Sequence, residues 1–256
     1  MIHPTAIIDP SAELHDSAQV GPYTVIEGNV TVAEGCVIES GVRLYAGTRL
    51  GRHNRVHHGA VIGALPQDLG FDPATPTTCE IGDHNTFREY VSVHRGCKEG
   101  ETRIGDHNYF MAHAHVAHDC RLGDHNVFAN NATLAGHVRV DHHAFLSGHT
   151  AIHQFCRIGA YVMVAGVSGV PQDVPPYVTV DGHRAEIVGL NVVGLRRGGF
   201  GQAQRSAIKA AYKLLYRSGL KQEIAIEQLR EADPGPEVLA IIEFVQGSMR
   251  GLVSHR

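Results

Sequence analysis

The chain has no tryptophan, and only 6% of its 256 residues are aromatic. A core built on rings is therefore excluded, and Val, Ile, Leu and Ala must supply it. No apolar run approaches the roughly 18 residues of a membrane span. The first ten residues, MIHPTAIIDP, lack both the basic and the apolar segment of a secretory signal, so a cytoplasmic protein is expected. A net charge of −4 argues against duplex DNA as the main partner. The five cysteines, at 36, 79, 97, 120 and 156, are odd in number and form no CxxC pair. Neither a disulfide framework nor a structural zinc site follows from them. Hydrophobic residues make up 43%, which rules out wholesale disorder.

What the chain has in excess is glycine (29), histidine (19) and a six-residue period. Large apolar residues recur every sixth position from Ile2 to Ile62, again at Ile81, Phe87 and Val93, and again from Ile104 to Val170. These blocks make 26 hexads, each opened by a large apolar residue. The fifth position is small and uncharged throughout, from Ala6, Ala12 and Ala18 to Val174, and includes Cys36, Cys120 and Cys156. One large and one small inward position per hexad describe an all-β, narrow parallel β-helix. Each hexad is a short strand and a turn, three make a triangular coil, and coils stack at the ordinary strand spacing of about 4.8 Å.

Two insertions interrupt the period, at 68–80 and 99–103. Counted three hexads at a time, those opening at Ile62, Val93, Val116, Leu134 and Ile152 form one column, and both insertions leave from its edge. Loops that break a strict repeat tend to be functional. The third residues of that column are Ala64, Arg95, His118, Gly136 and Gln154, so His115, His118, His137 and His153 are expected to cluster beside the loops. His84, His107, His113, His125, His143 and His149 fall instead at the fourth position, where GDHN recurs, and read as solvated turn residues. A second, metal-binding histidine layer at His113, His143 and His149 is the other reading. Three accounts of the main cluster stand together. It holds a zinc ion, as γ-class carbonic anhydrases do on this helix type; it supplies a general base for a hydroxyl; or it is surface packing.

The segments HVAHDC (115–120), ANNATLAGHV (129–138), AIHQFC (151–156) and GVPQDVPPY (169–177) resemble the UDP-N-acetylglucosamine O-acyltransferase family. The resemblance spans the whole chain and implies a left-handed hexapeptide-repeat β-helix followed by a helical tail. It also implies transfer of a (3-hydroxy)acyl chain from acyl carrier protein to the 3-position of UDP-N-acetylglucosamine, the first step of lipid A synthesis. It implies a homotrimer, with no cofactor and no metal. Related N-acyltransferases carry a domain before the repeats, and here the repeats open at residue 2. By that resemblance His118 is the general base, Asp119 supports it, and the Gly136 N–H is the oxyanion donor. Gln67, Asp68, His115, His137, His153 and Gln154 match positions that line the sugar, phosphate and acyl-carrier sites, and Asn191 and Arg197 match holders of the nucleotide sugar. Three positions depart from the family pattern: Gly70 stands for a lysine, Val193 for an acidic residue and Arg184 for a histidine. A non-catalytic β-helix scaffold is the competing class.

The hexads are expected over 1–177, with a linker and helical domain over 178–256. Helices are expected at 202–218, 221–232 and 236–247, with Gly219 as a stop and Pro236 as a start. Residues 191–256 carry a net +4 and residues 1–190 a net −8. Arg205, Lys209, Lys213 and Arg217, spaced i, i+4, make a basic ridge on the first helix, which reads either as a solvated helix face or as a dock for an acidic protein such as acyl carrier protein. Gly166, where the backbone bears no side chain, is the expected wall of the acyl pocket.

Overall fold

In the computed structural model, which describes residues 1–98 and 100–256, the hexads coil into a left-handed parallel β-helix of triangular section. Among the described residues, its three faces hold nine, eight and ten strands. Face 1 runs from Ile7–Ile8 through His115–Val116, Thr133–Leu134 and Ala151–Ile152 to Gly169–Val170. Face 2 runs from Glu13–Leu14 to Arg157–Ile158, and face 3 from Gln19–Val20 to Met163–Val164 before two longer strands close it. Val116 pairs in register with both Val93 and Leu134, as the column arithmetic requires.

The inward positions explain the stability of a core poor in rings. Phe87, Phe110 and Phe128 stack along the axis with centroids 4.9 and 4.7 Å apart. At the small inward position, Asn54, Asn85, Asn108 and Asn126 form a ladder. Each Oδ1 accepts the backbone N–H of the residue above it at 2.8–2.9 Å, ending on Ala144. Asparagine can do this because it carries both a donor and an acceptor; one left unpaired there costs about 1–3 kcal/mol. Cys36 lies in this row one coil before Asn54, while Cys79, Cys120 and Cys156 fill the small inward row at the corner between faces 1 and 2; all four are fully buried.

Most turns from Tyr23 onward take a left-handed residue at the fourth position, whereas Thr5, Ser11 and Ser17 of the first coil do not. His84, His107, His113, His125, His143 and His149 all take φ between +57° and +61°. They are exposed, as turn residues should be, yet they are not independent. His53, His84, His107, His125 and His143 stack ring on ring at 4.8–4.9 Å along the corner between faces 2 and 3, and Tyr161 extends the stack at 4.6 Å. His113 and His149 lie on the corner between faces 3 and 1, so His113, His143 and His149 are not one layer.

Three expectations are corrected. The insertions end before 80 and 103, because Thr78–Ile81 and Glu101–Ile104 are four-residue strands paired in register on face 2, and the second opens earlier than 99, directly after the strand Ser92–His94, so that it includes Cys97 and Lys98. Residue 99 lies outside the described residues. In the column, Ala64 pairs with His94, not Arg95. Gly63, at φ +76°, is an extra residue that shifts the register. Finally, coiling continues past Tyr177. Val178–Asp181 adds to face 3 in parallel and turns back into Glu186–Leu190 in antiparallel fashion.

The tail holds four helices: α1 (Val192–Arg197), α2 (Gln202–Arg217), α3 (Gln222–Glu231) and α4 (Pro236–Gln246). The short α1, capped by Asn191, carries no apolar repeat long enough to be read from sequence. Ile208, Ala211 and Tyr212 of α2 pack inward, and the Tyr212 hydroxyl donates to the Pro176 carbonyl at 2.6 Å. Among the described residues, no helix is long and apolar enough to cross a membrane.

Candidate active site

Val116 ends a strand of face 1, and the next two residues turn the chain toward face 2. His118 is the third residue of that hexad and points away from the core, while Asp119, at φ +58°, is the left-handed fourth. The same conformation leaves the turn histidines exposed; here the loop bearing Cys97 and Lys98 folds over the turn, and the Asp119 carboxylate is fully buried. A buried carboxylate must be paired and hydrogen-bonded. Here His118 Nδ1 lies 2.8 Å from Oδ2, the Cys97 N–H donates to Oδ1 at 2.8 Å, and the Lys98 N–H donates to Oδ2 at 3.2 Å. The Asp119 N–H in turn donates to Thr102 Oγ1 at 2.8 Å. The second insertion thus holds Asp119, and Asp119 holds the imidazole. A carboxylate acceptor at Nδ1 keeps the proton on that nitrogen and leaves Nε2 as the acceptor.

Gly136 lies one coil away on the same corner. A Cβ built there would meet His118 Cε1 at 2.6 Å and Nε2 at 2.8 Å, so only glycine admits the imidazole. The Gly136 N–H makes no hydrogen bond with any described residue. His137 stands edge-on to His118 with centroids 5.2 Å apart, its Nε2 lies 3.5 Å from Asp119 Oδ2, and its face is covered by Phe155 at 4.5 Å.

The first insertion brings Asp68 to the same corner. Its Oδ1 accepts the Gly70 N–H at 2.8 Å, while Oδ2 faces Cys97 Sγ at 3.8 Å and Lys98 Nζ at 4.0 Å. The Gly70 hydrogen bond, with the Lys98 and His118 charges, holds this carboxyl below the usual range. Gln67 is exposed beside it. His115 projects from face 1, with Nδ1 2.7 Å from Ser92 Oγ and its ring against His94. Burial lowers the pKa of His115. His94 is 4% exposed, and burial with the His115 and His118 charges pushes it down to about 4. His153 and Gln154 are exposed at the same corner, His153 turned onto the Gln154 carbonyl.

The expected site residues do not all meet. Asn191 and Arg197 line a separate cavity of about 840 Å³ with His125, His143, Tyr161 and Met163, by the corner between faces 2 and 3. Both polar ends of the Asn191 side chain are occupied, Oδ1 by the Gly194 N–H and Nδ2 by the Tyr161 carbonyl. Gly166 belongs to the third corner, between faces 3 and 1, so face 1 separates it from His118 within one chain. Lys209 and Lys213 are exposed, but the ridge is not uniform. Arg205 folds onto the Phe200 carbonyl and Gln202, and Arg217 meets His255 at 3.2 Å. Lys209, Lys213 and Arg217 border an apolar cavity of about 240 Å³ with Ile187 and Tyr212.

Ser92, His94, Cys97, Lys98 and Thr102 went unread because they sit in or beside the second insertion, where hexad counting stops. Among the described residues, the one group of three metal-ligand side chains that converges is Cys97, His118 and Asp119, not a set of histidines.

A parallel β-helix carrying a histidine–carboxylate pair and a bare glycine on one corner defines a hexapeptide-repeat acyltransferase. Residues 11–46 and 101–136 match the bacterial transferase hexapeptide family, and residues 173–253 match domain 2 of UDP-N-acetylglucosamine O-acyltransferase. The acyl-[acyl-carrier-protein]–UDP-N-acetylglucosamine O-acyltransferase of Halorhodospira halophila is 47% identical over 98% of both chains. The solved LpxA of Acinetobacter baumannii is 41% identical, with a TM-score of 0.95 over 98% of this chain and 99% of that one. The UDP-N-acetylglucosamine acyltransferase of Francisella novicida is 35% identical, with a TM-score of 0.97 over 99% and 94%. The chain belongs to the UDP-N-acetylglucosamine O-acyltransferase family.

Proposed function

We propose that the His118 corner transfers a (3-hydroxy)acyl chain from acyl carrier protein to the 3-hydroxyl of UDP-N-acetylglucosamine, the first step of lipid A synthesis. Family membership supports the substrates, and the His118–Asp119 pair carries the mechanism. His118 Nε2 takes the hydroxyl proton, the freed oxygen attacks the thioester carbon, and the carbonyl oxygen becomes negative. The unpaired Gly136 N–H stabilises that charge. His118 then returns its proton to the departing thiol, and Asp119 offsets the imidazolium charge in between. No metal enters these steps.

The working unit is a homotrimer. His118 and the Asn191–Arg197 cavity lie on different corners of one chain, and a neighbour in a closed ring can bring the second to the first. Asp68, His115, His137 and the exposed Gln67, His153 and Gln154 line the sugar, phosphate and carrier approaches, and Gly166 borders the acyl chain. A cytoplasmic setting fits these substrates. The test is incubation with a mixture of acyl-carrier donors and UDP-N-acetylglucosamine, with mass spectrometry of the product. A 3-O-acylated nucleotide sugar supports the reading. Its absence, or reaction only with a 3-amino acceptor, overturns it.

A further inference from the structure

The second insertion places a thiol in the catalytic corner. Cys97 is only 7% exposed, and its backbone N–H is fixed on Asp119. Its Sγ lies within 4.8 Å of a His118 ring nitrogen and an Asp119 carboxylate oxygen, which lie equally close to one another. Among the described residues, the thiol is hydrogen-bonded to Asp68 Oδ2, at a long 3.8 Å. Burial, then Asp119 and Asp68, push the Cys97 thiol above its ordinary range. Two carboxylates, Asp119 and Asp68, thus stand around a soft donor atom, with the Lys98 ammonium beside Asp68.

We propose that Cys97, His118 and Asp119 form an inhibitory site for a thiophilic divalent cation of the zinc type. Sulfur, imidazole nitrogen and carboxylate oxygen are the three donor classes zinc takes, and a tetrahedral site needs ligand atoms roughly 3.5 Å apart. The three present atoms reach that spacing by small rotations. Asp68 stands close enough to the sulfur to offer a fourth oxygen. Binding breaks the Cys97 S–H bond and releases its proton to solvent, forming a metal–thiolate bond with no change of oxidation state. It also ties up a His118 nitrogen and pulls the ring from its pairing with Asp119. That the cation inhibits rests on the reading of His118 as general base; that it binds does not.

The test uses chelator-treated full-length protein, titrated with zinc against a chromophoric chelator and, separately, with cobalt. Cys97→Ser and Cys97→Ala are compared with the parent after thermal melts establish that they fold. One zinc per chain is expected to be lost or weakened about 100-fold in both variants, and the near-ultraviolet thiolate–cobalt band should vanish with the thiol. Acyl transfer should fall in step with zinc occupancy in the parent, while in Cys97→Ser, whatever its own metal-free rate, the same zinc concentration should lower that rate no further. Exposed histidines elsewhere bind zinc without regard to Cys97, so equal binding by parent and variants, or no thiolate band, overturns the site. A band with undiminished activity overturns the inhibition. Lack of acyl transfer in the metal-free parent counts against the acyltransferase reading and leaves the binding result standing.

Discussion

The imidazole of His118 lies over Gly136 so closely that a Cβ at position 136 would come within 2.6 Å of Cε1. Gly136 does not have a positive φ, so alanine fits its backbone, and the contact alone decides the outcome. Gly136→Ala should displace the ring and lower kcat about 10²-fold, the scale of a misplacement near 1 Å. The melting temperature should be unchanged. A coupled fall in both would make Gly136 structural.

His118→Ala should remove the base and lower kcat by about 10²–10⁴-fold. The side chain is outside the core, so circular dichroism and Tm should match the parent. Activity of the parent should survive EDTA. Loss of activity on chelation would point to the zinc reading instead.

Acid should destabilise the protein through His94. Its folded pKa is about 4 against 6.5 in the unfolded chain, so the unfolded state binds the proton first as pH falls. The stability is full above about pH 6.5 and is lost progressively toward pH 4, by up to about 3 kcal/mol. The half-buried His115, shifted in the same direction, adds to the slope. His94→Gln should flatten Tm against pH across that window. An unchanged slope would place the acid sensitivity elsewhere.

On α2 Arg205 and Arg217 are engaged within the chain, which leaves the exposed Lys209 and Lys213 to meet an acidic partner. Reversing both to Glu should raise KM for acyl carrier protein at low salt and leave KM for the nucleotide sugar nearly unchanged. The difference should shrink as salt rises, since screening acts within about 8–10 Å at physiological strength. A rise in the nucleotide-sugar KM would place the ridge at the phosphate site.

Gly166 faces open space, with its nearest neighbour to an added Cβ being the Gly148 carbonyl at 3.6 Å. Gly166→Met should therefore fold normally and shorten the preferred acyl chain by about four methylenes, each worth ~0.8 kcal/mol when buried. Competition between donors of different length measures this, and an unchanged preference would mean the chain runs elsewhere.

The period of six was enough to determine the prism, its inward rows and the column that stacks His118 on Gly136, because each hexad contributes one strand and one turn of fixed length. The turn histidines were legible for the same reason, and so were α2, α3 and α4, from apolar periodicity with Gly219 as a stop after α2 and Pro236 as the start of α4. The period is silent where it is interrupted. The Gly63 bulge, the strands that begin at Thr78 and Glu101, and the burial of His94 depend on pairing between coils, which spacing along the chain does not encode. Nor could spacing show that the backbone of Cys97 and Lys98 would grip Asp119, or that the Cys97 sulfur would face the same carboxylate. Tertiary structure decided those, because a buried charge settles where distant N–H groups converge on it. It also set Asn191 and Arg197 on a different corner from His118, since a triangular coil sends successive hexads to different faces.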